Sequence, residues 1–387
     1  MKNAFSKWKI FVALAFGLLI SFWMLYNGFV NKQFVECAPG EGTHEWVDAN
    51  NNGKVDLYDE SDFISNESGA YKIQSTRSAL NEVSWSPWSL YWILLAVLFT
   101  FGRDFFYIIR IRLLTHKKLS WKASFFVIMI WEFTSALSPG VVGGAAVAMF
   151  ILNREKVPFG KATAIVIITA FMDNLFFILM IPFVFLFIDN HDLFPSEAGY
   201  SLPLMWVFWL GFFIILSVCI FLYLTLFWFP HLASKILLAL FSLPVIRRWK
   251  FIAREWGKDI ELAAKEFQME SAGFWIKIFL STLASWVSRY LVINAVFNAF
   301  VELGFLDNIK ILGQQFVLWI FMLISPTPGG SGVAEFAFGE LLSGFTSSAL
   351  LVGVLALIWR LISYFPYLFL GSIILPVWLK RTQGKKH

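Results

Sequence analysis

Two short proline- and glycine-rich motifs interrupt apolar segments, and both fit the pattern [Ser/Thr]-Pro-Gly-x-x-Gly-x-Ala. A helix does not continue through such a motif, because proline removes a backbone donor and glycine raises the cost of helical order. In an apolar environment the freed backbone groups must meet protein, water or a ligand. The predicted substrate-binding residues are Ser138, Pro139, Gly140, Gly143 and Gly144 in the first motif and Thr327, Pro328, Gly329, Gly330 and Gly332 in the second.

Ionisable side chains in the apolar segments are the second group of candidates. Glu335 follows Gly332 by three residues, so it falls at the start of the helix after the second break. Arg289 and Arg360 are its predicted partners, and a guanidinium presents a planar fork that suits phosphate. We expect these two arginines to bind a phosphate, with Glu335 orienting or releasing one of them. A purely structural Glu–Arg pair is the alternative.

Two further acids lie in apolar segments. Asp173 is expected to act either as a structural cap or as a group facing an internal cavity. Glu132 precedes the first break, and we expect it to pair with Arg103 or with Arg154. Ionisable groups in membrane segments are costly, and they are usually paired or functional.

Residues 48–59 resemble a calcium-binding loop of the EF-hand type. Oxygen-bearing side chains alternate before a glycine that permits a sharp turn, and an aspartate at the last position is more similar to the dockerin version. An asparagine-rich turn that matches by chance is the alternative. The sequence therefore predicts a structural Ca²⁺ ion, with a short helix after it at 60–64. The predicted ligands are Asp48, Asn50, Asn52, Lys54, Asp56 and Asp59.

The composition indicates what must position these residues. The 387-residue chain is 58% hydrophobic and only 15% charged, with a mean hydropathy of +0.68. Soluble domains carry roughly 25% charged residues, so lipid is the expected solvent. We predict an all-α polytopic membrane protein with about six full spans and two broken segments at 123–152 and 311–344. The spans are 10–30, 87–109, 162–188, 204–229, 273–300 and 348–378.

The halves of each broken segment, at about 10–15 residues, are expected to be too short to cross alone. We therefore predict two re-entrant pairs of half-helices. With the N-terminus in the cytoplasm, most of the 31 lysines and arginines then lie on the cytoplasmic side. The two motifs enter from opposite sides, which is typical of an inverted repeat with a substrate site between the halves.

This organisation predicts four regions. Residues 1–30 form an N-terminal membrane anchor, 31–86 an extracytoplasmic loop with the calcium motif, 87–380 the transport domain and 381–387 a cytoplasmic tail. Within the transport domain, 231–272 is a cytoplasmic connector whose apolar residues recur at helical spacing, as in an amphipathic helix. The predicted location is the inner (cytoplasmic) membrane, with both termini in the cytoplasm.

Most of residues 90–380 resemble the lysylphosphatidylglycerol synthase transmembrane, or flippase-like, family. The resemblance rests on the stretch from Ser325 to Glu335, which is similar to the family's Pro-Gly-Gly-x-Gly-x-x-Glu signature, and on the first motif followed by Arg154 and Asp173. It implies that a polar-headed lipid moves between leaflets. The chain departs from the family at Ala145 and Ala146, where many members carry charged residues.

The predicted function is therefore translocation of a polar-headed phospholipid or glycolipid between leaflets. An ion-coupled transporter of a small anion is the alternative. We expect no enzyme, because the five histidines are scattered and no nucleotide-binding or serine-nucleophile motif is present. Anionic or glycosylated membrane lipids are the expected partners and nucleic acid is not. A homo-oligomer is compatible with the sequence.

Overall fold

The structure is a computed structural model, and every structural statement below concerns the residues that it describes. These are 32–38, 40–49, 55, 60–75, 85–138, 142–189, 193–194, 201–240, 242, 250–324, 327, 329–330, 333–346 and 349–383. The predicted anchor at 10–30 lies outside them.

The fold is all-α in its membrane part. The helices are α1 Pro87–Leu114, α2 Trp121–Leu137, α3 Val142–Arg154, α4 Phe159–Phe185, α5 Ser201–Tyr223, α6 Pro230–Leu240, α7 Lys250–Gln268, α8 Ala272–Asn298, α9 Phe305–Ile324, α10 Val333–Leu342, α11 Ala349–Ser363 and α12 Phe365–Gln383. A π-helical turn, Leu224–Trp228, extends α5.

Five stretches of the described chain are long and apolar enough to cross a membrane. They correspond to five of the six predicted spans, in α1, α4, α5, α8 and the pair α11–α12. The last span differs from its prediction, because Tyr364 forms a turn between α11 and α12. The chain is thus a multi-pass membrane protein whose last crossing is made of two helices.

The chain reverses direction at each of the two predicted breaks. A Cβ on Gly144 would lie 2.0 Å from the Ser135 hydroxyl oxygen, so α3 returns against α2. In a continuous helix these residues, nine positions apart, would be separated by about 13 Å. Gly330 similarly packs against Met322, and α10 packs against α9. Both breaks are therefore helical hairpins.

The hairpin arms are longer than the sequence analysis predicted. α2 has 17 residues and α9 has 20, because α9 begins at Phe305 rather than near residue 311. A helix of 20 residues is about 30 Å long, which matches the hydrocarbon thickness. The predicted arm length of about 10–15 residues was therefore wrong for α9, although α9 is not among the five described stretches that are apolar enough to cross. The polar residues Asp307 and Asn308 in its first turn obscured the start.

The segment predicted as a loop contains an antiparallel sheet of four strands. These are β1 Lys32–Glu36, β2 Gly42–Trp46, β3 Phe63–Gly69 and β4 Tyr71–Ser75, in the order β1-β4-β2-β3. One face is an aromatic cluster in which Phe34 stacks on Phe63 at 3.8 Å. The short helix predicted at 60–64 is limited to a 3-10 turn, Glu60–Asp62, because Phe63 and Ile64 already pair with β2.

The connector contains the predicted amphipathic helix, α7. Its residues Ile260, Ala263 and Phe267 are buried, whereas Leu262 is exposed. α7 packs closely on α4, since a Cβ on Gly160 would lie 2.1 Å from Asp259 Cβ. The buried stripe of α7 therefore packs against the bundle.

Candidate functional site

Tyr364, in the turn between α11 and α12, joins the two hairpins. Its hydroxyl donates a hydrogen bond to the carbonyl of Ala136, 3.1 Å away, in the last turn of α2. Its ring packs against Gly329 so closely that a Cβ there would lie 2.3 Å from a ring carbon. Gly329 and Gly330 both have positive φ, +59° and +69°, a conformation that favours glycine. The two breaks, nearly 190 residues apart in sequence, thus meet at one aromatic side chain.

The second hairpin carries an ion pair, as the sequence predicted. Glu335, in the first turn of α10, lies 2.7 Å from Nε of Arg360 on α11. Arg360 also donates a hydrogen bond to the carbonyl of Gly329 at 3.2 Å, and its guanidinium lies over the rings of Trp359 and Tyr364, each at 4.9 Å. The arginine side chain is 4% exposed. Arg360 is therefore held by the protein and satisfies one backbone carbonyl of the break.

A second ion pair lies in the middle of α4. Asp173 Oδ1 is 2.5 Å from Nη1 of Arg110 on α1 and accepts a hydrogen bond of 2.9 Å from the indole nitrogen of Trp286 on α8. Arg110 also donates to the hydroxyl of Thr282 at 3.1 Å. Asp173 thereby connects three helices through one carboxylate. It is not a helix cap, because it stands well inside α4.

A third charged group forms around Arg103, seven residues before Arg110 on the same face of α1. Arg103 forms an ion pair with Glu132 of α2, as one of the two predicted pairings had it, and lies 3.8 Å from Asp104. Its guanidinium also lies over the rings of Tyr107 and Tyr367. The hydroxyl of Tyr367, on α12, donates to both oxygens of Asp104. Arg103 is 3% exposed.

Arg289, on α8, has different surroundings from the other buried arginines. Its guanidinium lies 5.2 Å from the ring centroid of Trp286, and the side chain is only half-buried. Within the described chain no carboxylate lies within salt-bridge distance of Arg289. Of the two predicted phosphate-binding arginines, Arg289 is therefore the one without a carboxylate at salt-bridge distance in the described chain.

Several predicted residues cannot be placed. Pro139, Gly140, Pro328 and Gly332 lie outside the described residues, as do five of the six calcium ligands: Asn50, Asn52, Lys54, Asp56 and Asp59. Asp48 is the one predicted calcium ligand that is described, at the end of the segment after β2. Among the described residues, no group of three or more metal-binding side chains is present.

The other motif residues all lie at or beside the breaks. Ser138 ends α2, and its hydroxyl donates to the carbonyl of Thr134 at 2.7 Å. Gly143 and Gly144 are in the first turn of α3. The carbonyl of Thr327 accepts a hydrogen bond from the backbone N–H of Gly330 at 3.1 Å, which closes the second turn.

Comparison with known proteins places the chain in a family. Residues 76–371 match the family described as the lysylphosphatidylglycerol synthase TM region. The chain belongs to this family. A protein of Archaeoglobus fulgidus, described as a UPF0104 membrane protein, is 26% identical over 311 residues, which cover 76% of this chain and 89% of that protein. No solved structure matches the chain.

The matched region contains all of the charged pairs described above, including residues that the sequence analysis did not assign to the site. The main residues that the sequence analysis did not assign to the site are Arg110, Tyr364 and Tyr367. Arg110 lies just beyond the predicted span 87–109, whereas α1 continues to Leu114. The spacing of Arg103, Tyr107 and Arg110 was the available signal, since positions i, i+4 and i+7 lie on one face of a helix.

Proposed function

We propose that this protein moves a polar-headed phospholipid or glycolipid between the two leaflets of the inner membrane. The observation that carries the proposal is Arg289, a half-buried cation in a membrane span with no carboxylate within salt-bridge distance in the described chain. A charged side chain in a span is costly unless it is paired or used. The planar fork of a guanidinium matches the oxygens of a phosphate, so it can bind one with two parallel hydrogen bonds.

The surrounding geometry supports a binding function. Arg289 extends from the helix that also supplies Trp286, and Trp286 contacts Asp173 at the centre of the bundle. The two helical hairpins meet at Tyr364, so backbone groups at both breaks lie next to the same turn. We propose that the hairpins are re-entrant and related as an inverted repeat, which is a common construction for transport sites.

The membership of the family agrees with a lipid as the cargo but does not identify it. The family's description names the membrane region of a lipid synthase, which supports a role connected with lipid. We propose anionic or glycosylated lipids as the partners, no enzymatic activity, and an orientation with both termini in the cytoplasm.

A leaflet-exposure assay tests the proposal. The full chain is reconstituted into liposomes that carry a trace of fluorescent phosphatidylglycerol, and a membrane-impermeant quencher reports the fraction of the lipid on the outside. We expect the wild-type protein to make the inner-leaflet probe accessible, and we expect Arg289→Gln to slow this process about 10- to 100-fold, because a charge-assisted hydrogen bond contributes about 1.5–3 kcal/mol. Lys258→Gln, on the exposed side of α7, is the matched control.

Two results would contradict the proposal. Protein-free and wild-type liposomes that quench equally would exclude translocation of this lipid. Uptake of inorganic phosphate without lipid movement would favour the small-anion transporter instead.

We also propose that residues 48–59 bind calcium structurally. The described residues that flank the motif support this proposal, because the backbone N–H of Val47 donates a hydrogen bond to the carbonyl of Asp62 at 2.7 Å. Calorimetry on the full chain should show calcium binding in the millimolar range or tighter, typical of extracellular sites at about 10⁻⁴–10⁻³ M. Asp48→Asn should weaken calcium binding, and unchanged calcium binding in this variant would contradict the proposed site.

A further inference from the structure

Asp104 differs from the other carboxylates in the described charged groups, because no arginine lies within hydrogen-bond distance of it. The adjacent Arg103 forms its ion pair with Glu132, and its nearest nitrogen is 3.8 Å from Asp104, too far for a hydrogen bond. Two carboxylates therefore share one buried guanidinium. A buried ion is stabilised only when its partner is close and well oriented, so Asp104 is the less compensated of the two acids.

A neutral donor supplies the close contacts of Asp104. The hydroxyl of Tyr367 lies 3.0 Å from Oδ1 and 2.9 Å from Oδ2, and the Asp104 side chain is 14% exposed. A hydroxyl both donates and accepts, so Tyr367 can serve either protonation state of the acid. The position is thus built to hold a carboxyl group in place whether or not it carries a proton.

The remaining positive charge near Asp104 comes from Arg289. α8 lies against α1 at this level, because the Ser285 hydroxyl donates to the carbonyl of Arg103 at 3.0 Å. Arg289 follows Ser285 by one helical turn, and it attracts the Asp104 carboxylate electrostatically. The charged and titratable groups that face Asp104 are therefore Arg103 on its own helix, Glu132 on α2, Tyr367 on α12 and Arg289 on α8.

This arrangement links the two ligands of the proposed transport cycle. Arg103 supplies the larger part of the positive charge that stabilises ionised Asp104, and a phosphate that binds Arg289 takes up the smaller, remaining part. In a site of low dielectric constant an ionised carboxylate without a compensating charge is unfavourable in free energy. Protonation removes that charge and so becomes more favourable. We propose that Asp104 binds one proton when an anionic lipid headgroup binds Arg289.

The proposal balances charge and rests on the proposed function. One negative charge arrives with a phosphodiester headgroup and one positive charge arrives with the proton, so the net charge of the site is unchanged. No bond other than the O–H bond of the carboxyl group forms. An anionic phospholipid would consequently be moved together with one proton, and a pH difference across the membrane would drive it.

A binding measurement tests the linkage without requiring transport. Dioctanoyl phosphatidylglycerol is titrated into the full chain in detergent, by calorimetry, over a series of pH values and in two buffers of different ionisation enthalpy. One linked proton makes Kd rise by up to about tenfold per pH unit above the range in which Asp104 is protonated. The buffer pair should report uptake of about one proton for each lipid bound.

Three variants identify the group that takes the proton. Asp104→Asn mimics the protonated acid, so it should bind the lipid with a Kd that is independent of pH. Glu340→Gln, which removes an exposed carboxylate from α10, should retain the wild-type pH dependence. Glu132→Gln leaves Arg103 to Asp104 alone, so the pH dependence should persist but move to lower pH. Loss of the dependence there but not in Asp104→Asn would overturn the assignment to Asp104.

Other outcomes separate this inference from the proposed function. Lipid binding to the wild type with the same Kd at every pH, and without proton uptake, would overturn the linkage while leaving translocation intact. Proton-linked binding of inorganic phosphate but not of the lipid would overturn the lipid as the ligand. If Asp104→Asn does not fold, pH-independent lipid binding by Asp104→Ser, with native elution on size exclusion, replaces it as the supporting result.

Discussion

Arg360 and Arg289 show two ways in which this protein holds a cation inside its membrane domain. Arg360 contacts a carboxylate, a backbone carbonyl and two aromatic rings, and it is 3% exposed. Arg289 contacts one indole ring and is half-buried. The fold neutralises the charge of Arg360, whereas Arg289 has no carboxylate within salt-bridge distance among the residues that the structure describes. The difference separates arginines that stabilise the bundle from the one that we propose binds the lipid headgroup.

Removal of the carboxylate from a buried ion pair should have the largest effect on the free energy of unfolding. Asp173→Ala leaves Arg110, whose side chain is 7% exposed, without its carboxylate. We expect a loss of about 3–5 kcal/mol in the free energy of unfolding, because an uncompensated charge remains buried. Denaturation of the purified protein in detergent measures it. The double variant Asp173→Leu with Arg110→Met should recover most of the loss. If Asp173→Ala were as stable as the wild type, Arg110 would not depend on the carboxylate of Asp173.

The direct comparison of the two arginines comes from Glu335→Gln and Arg289→Gln. Glu335→Gln removes the partner of Arg360 and should cost about 1–3 kcal/mol of stability, since the Glu335 side chain is 38% exposed and solvent reduces the effect. Arg289→Gln should cost about 1 kcal/mol or less, because Arg289 forms no salt bridge with a carboxylate of the described residues. Thermal unfolding of both variants measures the two losses. If Arg289→Gln were the less stable variant, Arg289 would stabilise the bundle as much as Arg360 does.

A smaller effect is expected at the contact between the two hairpins. Tyr364→Phe keeps the ring against Gly329 but removes the hydrogen bond to Ala136. The expected cost is about 1 kcal/mol. Tyr91→Phe, at an exposed position on α1, serves as the control and should leave the unfolding temperature unchanged. Equal effects of the two substitutions would indicate that the hydroxyl of Tyr364 does not hold the hairpins together.

The smallest effect should come from an ion pair between the first turn of α4 and the connector helix α7. Lys161 donates to Glu266 on α7, and this hydrogen bond is the main cause that holds the pKa of Glu266 below its ordinary value. A lowered pKa gives stability that is present above the unfolded-state pKa and is lost as the pH falls through the folded-state pKa. Glu266→Gln should therefore cost less than about 1 kcal/mol at neutral pH. The difference from the wild type should vanish in acid, and a difference that grows in acid would contradict it.

The sequence predicted the membrane domain well because its signals are local. Apolar length identified the spans in α1, α4, α5 and α8, and the Pro-Gly motifs identified both breaks. The pairs Glu335–Arg360 and Glu132–Arg103 were also predicted, since few charges are available in apolar segments to serve as partners. The calcium motif stays a prediction.

The sheet was missed because its strands are short and lie in a polar segment. β1 and β4 are separated by 34 residues, and their pairing is not visible in a local pattern. The pair Arg110–Asp173 was missed for a similar reason. It depends on how α1 packs against α4, and no rule of spacing relates residues 63 positions apart.

By itself the sequence determined where the chain must cross lipid and where a helix cannot continue, because hydrophobic length and the chemistry of proline and glycine act over a few residues. The tertiary structure decided which charges neutralise one another. Packing brings Gly329 and Ala136 to the same tyrosine, gives Glu335 to Arg360, and leaves Arg289 facing Trp286. Electrostatic energies depend on distance and burial, and those are set only when the helices are assembled.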